Sequence, residues 1–202
     1  MASALQYFVL VLILGIQIHE CTVVFQNENC IKEGPCFDLN LLANIAVHVS
    51  KDVVAADGEK ILLRHNSFDK IRRKKNLHSC ILQKIIDLFQ KVLIETEKTS
   101  VPHKDMNYHR ELIHILDQLR NCVYKIKCTK LDEKAATSSI NIPEKEMKPK
   151  QLAILQLQKL KNANESLSDV HIQQSVMDEL KTLHSYMRGK GFRKNTIDYG
   201  EE

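Results

Sequence analysis

The chain has 202 residues, 27% of them charged, a net charge of +4 at pH 7 and no tryptophan. Leu, Ile and Val are plentiful enough to bury one globular core. Six glycines and four prolines are too few for the repeated tight turns of a β-sandwich or barrel, so the composition predicts an all-α chain.

In chain order, the first feature is an apolar run from Tyr7 to Ile16. It is as long as a signal-peptide core and shorter than the ~20 residues that span a bilayer. Residues 1–21 are therefore expected to be a signal peptide, cut between Gly15 and Phe25, although the run lacks a basic start and a small-x-small site. No second stretch is apolar enough to cross a membrane, so the mature chain is expected to be secreted, without membrane insertion. Cys21, Cys30, Cys36, Cys80, Cys122 and Cys128 then default to disulfides. Neither a C-x2-C nor a His-x3-His pair occurs to suggest zinc.

From Phe37 to Val53, the residues Phe37, Leu41, Ile45 and Val49 fall four apart, flanked by Leu42 and Ala46. That spacing predicts an amphipathic helix, ended by Asp57-Gly58. A mixed segment over 59–76 offers Ile61, Leu62, Leu63, Phe68 and Ile71 as core contacts, with at most a short helix. From His78 to Glu95 two adjacent stripes appear: Ile81, Ile85, Leu88, Val92 beside Leu82, Ile86, Phe89, Leu93. A helix apolar over so wide an arc is surrounded by others and predicts the central element.

A further helix is predicted from 104 to 127, with Leu112, Ile115, Leu116, Leu119 and Val123 inward. Thr129 to Pro149 is charged and rich in Ala, Ser and Thr, and reads as a linker. Two last helices follow. One spans Lys150 to Asn162; the other spans Ser168 to Met187, with Ile172, Val176, Leu180, Leu183 and Met187 inward. Ser166 or Ser168 suits the cap of the last helix, and Asp169 suits its positive end. The folded domain is expected over 22–188, and 189–202 as a disordered tail.

Cys122-Val-Tyr-Lys-Ile-Lys-Cys128 carries the most local information. Six residues of helix rise ~9 Å and turn ~240°, whereas bonded cysteines need Cα atoms within ~7 Å. The two must therefore reach different elements. Cys80 is one natural partner, and Cys30 or Cys36 the other.

A Cys opening a strongly apolar helix, here Cys80 to Leu93, followed by Leu119-Arg-Asn-Cys122 through Cys128, resembles the interleukin-10 family of helical (class II) cytokines. The segment Ile61-Leu-Leu-Arg64 after Asp57-Gly58 is similar to the interleukin-20 branch, and Val176–Met187 resembles the family's last helix with its Glu-Leu pair. The resemblance covers most of 30–187. The resemblance implies a compact six-helix, up-down bundle braced by Cys80–Cys128 and by Cys122 with Cys30 or Cys36. It also implies binding of a heterodimeric class II receptor to start JAK–STAT signalling. The high-affinity face in such proteins uses the first helix, the segment after it and the last helix. Here these are Asn40, Asn44, His48 and Lys51, then Arg64, then Gln173, Gln174 and Lys181. The longer linker, the missing Gly in the last helix and the extra Cys21 depart from the pattern. Ser166–Leu180 is similar to the corresponding helix of interferon-gamma, whose basic tail Arg188–Lys194 also resembles, so that cytokine is an alternative. A secreted helical carrier of a hydrophobic ligand is another. Relatives include monomers and helix-swapped dimers; the long linker favours a monomer here.

Arg72-Arg73-Lys74-Lys75 offers a heparan sulfate site or a solvated loop. Asn164-Glu165-Ser166 is a glycosylation sequon. His109, Glu111 and His114 lie away from the apolar stripe of their helix. No G-x-S-x-G, P-loop or H-E-x-x-H motif occurs, and no aromatic residues interleave the basic ones. Neither an enzyme, a metal, a cofactor nor nucleic-acid binding is expected.

Overall fold

The computed structural model describes residues 37–53, 60–99, 106–139 and 142–193, all within one compact unit spanning 35–193. The expected signal segment, Cys21, Cys30, Cys36 and the tail beyond 193 lie outside them.

Among the described residues the fold is all-helical. Seven α-helices occur: α1 (Leu39–Val49), α2 (His65–Arg72), α3 (Lys75–Thr99), α4 (Met106–Cys122), α5 (Thr129–Thr137), α6 (Pro149–Glu165) and α7 (Val170–Tyr186), with a short 3-10 turn at Glu144–Glu146. Helix α3 is the central element. It packs against α4, α6 and α7; α1 lies on α4 and α7, α2 on α6 and α3, and α5 on α6. All eight residues of its two apolar stripes are buried, each worth ~1.5–3 kcal/mol relative to exposure. No helix of the described residues is long and apolar enough to cross a membrane.

Helix starts follow local chemistry. The Asp38 carboxylate accepts the amide of Asn40 at 2.8 Å to cap α1, and Asp169 accepts that of His171 at 2.8 Å to cap α7. The cap of α7 is thus Asp169 itself and neither Ser166 nor Ser168, because the helix begins two residues later than expected. Pro149 opens α6, where its missing N–H costs nothing, and Gln151 reaches back to the Lys148 amide at 2.9 Å.

Four further expectations are corrected. Leu41 is 41% exposed: a step of four drifts ~40° around a helix, and α1 instead buries Leu39, Leu42, Ile45, Ala46 and Val49. The helix predicted to 127 stops at Cys122, where Val123 turns extended to bridge Phe192. The expected linker holds α5, whose Leu131 and Ala135, four apart, are buried against the bundle. Gln158 of α6 ties down its end by donating to the carbonyls of Ala135 (2.9 Å) and Ser138 (2.6 Å). The folded domain also runs past 188. Residues 189–193 dock on the bundle, with Phe192 buried and hydrogen bonds from Lys190 to the Arg72 carbonyl and from Arg193 to the Cys122 carbonyl.

Candidate receptor-facing surface

Residues 60–64 have no regular secondary structure, yet Ile61, Leu62 and Leu63 are buried. Buried backbone groups without ladder partners must find side chains. Here α6 and α7 supply them. Glu179 accepts the amides of Ile61 (2.6 Å) and Leu62 (2.8 Å) on its two carboxylate oxygens. Gln156, fully buried, accepts from the Leu63 amide at 2.8 Å and donates to the Ile61 carbonyl at 2.9 Å. The Tyr186 hydroxyl donates to the Leu63 carbonyl at 2.8 Å, and Lys159 to the Lys60 carbonyl at 2.7 Å. The end of the α1 segment is held to the same helix: Lys181 donates to the Val53 carbonyl at 3.2 Å and pairs with Asp178.

The electrostatics of this suture are set by burial. It pushes the Glu179 carboxyl above its ordinary value, against the pull of the Leu62 and Ile61 amides and of Lys60 and Lys159. Tyr186 is raised to about 12 by burial and by Glu179, so it remains a hydroxyl donor. The suture fixes residues 60–64 on α6 and α7, and α1 packs on α7 as well, so α7 is the element on which the exposed face of α1 and the exposed Lys60 and Arg64 are set.

The predicted site residues divide on these elements. Asn40, Asn44, His48, Lys51 and Arg64 are exposed, and His48 stacks on Tyr108 of α4 with ring centroids 5.0 Å apart. Gln174 is exposed too. Gln173 and Lys181 are half-buried and occupied within the chain, Gln173 donating to the Leu167 carbonyl at 2.6 Å. Their side chains shape the surface and do not lie open on it. Residues that spacing alone did not single out, Gln156, Glu179 and Tyr186, hold it together. A polar residue on an amphipathic helix gives no sign of turning inward.

Elsewhere, Cys80 and Cys128 are joined, with Cα atoms 5.8 Å apart. Cys122 is also disulfide-bonded. Helix α4 ending at Cys122 and α5 starting after Cys128 keeps the two in different elements. Asn164 is exposed in the last turn of α6 and accepts from Lys91 at 2.9 Å.

The basic run 72–75 is split. Arg72 is committed internally, to the Ser185 carbonyl at 2.8 Å, to Asp69 and to the Phe68 ring. Arg73, Lys74 and Lys75 are exposed. His109 is half-buried, while Glu111 and His114 are exposed. Among the described residues no group of three His, Cys, Asp or Glu is placed to hold a metal.

Comparison with family models, curated proteins and solved structures finds no match.

Proposed function

We propose that the chain is a secreted helical cytokine of the interleukin-10 type, which binds two class II receptor chains and brings them together to start JAK–STAT signalling in immune or epithelial cells. The observation that carries this reading is the Cys80–Cys128 link, the pairing that the resemblance implies. The setting of α1 and residues 60–64 on α7 supports it further, since these are the elements such a cytokine presents to its high-affinity receptor.

The interferon-gamma alternative keeps the likeness of Ser166–Leu180, but residues 189–193 pack onto the bundle as a strap and not as a free basic tail. Helix α6 packs on α3, and α7 on α1 and α3, of the same chain, which suits a monomer. The carrier reading has no specific observation in its favour: a cleft between α3, α5 and α6 is lined by Leu88, Leu157 and Leu160 but also by Lys84, Asp87, Asp132 and Lys161, charges that do not suit an apolar ligand.

Surface plasmon resonance against a panel of class II receptor ectodomains tests the proposal. Saturable binding to one of them is expected, weakened about tenfold or more by Asn44→Arg at the centre of the α1 face. No binding across the panel by the folded, disulfide-intact protein contradicts it.

A further inference from the structure

Net charge conceals a concentration of it. Two shallow grooves meet at the end of the bundle where α3 and α6 begin and α5 starts after the disulfide. The first is lined by Lys74, Lys75, Lys148 and Lys150. The second shares Asn76, Leu77 and Lys150 with the first and adds Lys127, Lys130 and Lys134. Seven lysines from three separate stretches of sequence thus line one track. All seven are exposed, none forms an ion pair with the described residues, and no carboxylate lines either groove.

The backbone adds to the same field. Helix α3 begins at Lys75, α5 at Thr129 and α6 at Pro149, so three helix N-termini, each equivalent to roughly half a positive charge, converge on the track. Helix α5 is divided to match. Leu131 and Ala135 face the core, Lys130 and Lys134 line this track, and Asp132 turns to Lys84 in the neighbouring cleft. Cys80 and Cys128 form part of the floor; their bond fixes the start of α5 beside the first turns of α3.

We infer that this track is a binding site for a linear sulfated polysaccharide. Its charge calls for a polyanion, and its extent over two adjoining grooves that share Asn76, Leu77 and Lys150 suits a flexible chain lying along it. A nucleic-acid duplex is read by elements that project into its grooves, and single strands by aromatic platforms. Neither groove has an aromatic lining, and the adjacent Tyr124 ring is covered by the Lys75 ammonium, 3.3 Å from its centroid. Lysine heads are compact, mobile donors matched to sulfate groups that vary in position. The site differs from the run 72–75 read in the sequence: it keeps Lys74 and Lys75, loses Arg72 to internal contacts and gains five lysines remote in sequence. The choice of an extracellular polyanion rests on the reading of the chain as secreted.

Isothermal titration of the full-length, disulfide-intact protein with a heparin dodecasaccharide over a range of salt tests this. Wild type is expected to bind at 0.15 M salt. K130Q/K134Q/K150Q is expected to lose roughly tenfold or more in affinity, with a shallower salt dependence. K51Q/K98Q/K161Q, which removes as much charge elsewhere, is expected to lose far less. Circular dichroism verifies that each variant is folded. Equal losses in the two variants, or no binding by wild type at 0.15 M salt, overturn the site. Equal binding of duplex DNA, or tighter binding to phosphatidylserine vesicles, overturns the assignment to polysaccharide. Because no receptor takes part, heparin binding that persists without receptor binding leaves the groove standing and removes the cytokine reading alone.

Discussion

Gly191 donates its backbone N–H to Nδ1 of His78 at 2.9 Å, with the imidazole fully buried between Phe68 and Phe192. Burial first, and the Arg72 guanidinium second, lower His78 to about 3, against a small upward pull from the Tyr186 backbone. The ring is thus held neutral, as an acceptor for the strap over 189–193. The unfolded chain, with histidine near its ordinary ~6.5, binds a proton that the folded chain refuses. The stability His78 contributes is therefore complete above pH ~6.5 and is lost as pH falls toward 3, at up to ~1.4 kcal/mol per pH unit. Urea unfolding at pH 7.5 and pH 5 checks this: His78→Phe should flatten the difference, and an unchanged pH dependence in that variant contradicts the assignment.

Gly191 is also fixed by space. A Cβ there would sit 2.7 Å from His78 Nδ1 and 2.8 Å from a Leu82 methyl. Gly191→Ala should cost about 1–3 kcal/mol and speed amide exchange at Tyr124, whose N–H bonds the Gly191 carbonyl at 3.0 Å. A neutral effect on both would mean that the strap is not docked as described.

The suture at 61–63 gives a graded series. Gln156→Leu leaves the buried Leu63 amide and Ile61 carbonyl without partners and should cost about 2–4 kcal/mol. Glu179→Ala should cost about 1–3 kcal/mol. Glu179→Gln should be milder, since burial already disfavours the ionised carboxyl. Denaturant titration orders the three, and hydrogen exchange should place the loss at residues 61–63.

Much of this architecture is legible in the residues, and the reasons differ by element. Helix α3 announces itself because eight apolar side chains fill two adjacent stripes, a pattern only a surrounded helix carries. Helix α5 hides because just Leu131 and Ala135 face inward and its remaining residues resemble a solvated linker. The strap hides because Gly189, Gly191 and the neighbouring cations read as a tail, and only Phe192 hints at burial. At the candidate surface, exposed positions of α1 follow from periodicity, whereas Gln156, Glu179 and Tyr186 depend on where residues 60–64 come to lie. No local pattern encodes that.

The Cys80–Cys128 bond joins residues 48 apart in sequence and should contribute about 2–4 kcal/mol by constraining the unfolded chain. Cys80→Ser, Cys128→Ser and the double variant should be equally destabilised, because any one of them removes the whole bond. Non-reduced peptide mass spectrometry should recover 80 with 128, and 122 with an N-terminal cysteine. A peptide joining 122 to 128 would contradict the fold.

Secretion and the sequon make a joint prediction. Expressed in mammalian cells, the protein should appear in the medium with an endoglycosidase-sensitive mass shift that Asn164→Gln abolishes, since Asn164 is exposed at the end of α6. A shift that survives the substitution would place the glycan elsewhere.

Receptor bridging is tested most directly by STAT phosphorylation in cells that carry defined pairs of class II receptor chains. The bundle should trigger phosphorylation only where both chains of one pair are present. Asn44→Arg on the α1 face should shift its dose response about tenfold or more while leaving the folded state intact. Folded protein that elicits no phosphorylation with any pair, or that signals through a single chain, would contradict the proposed function.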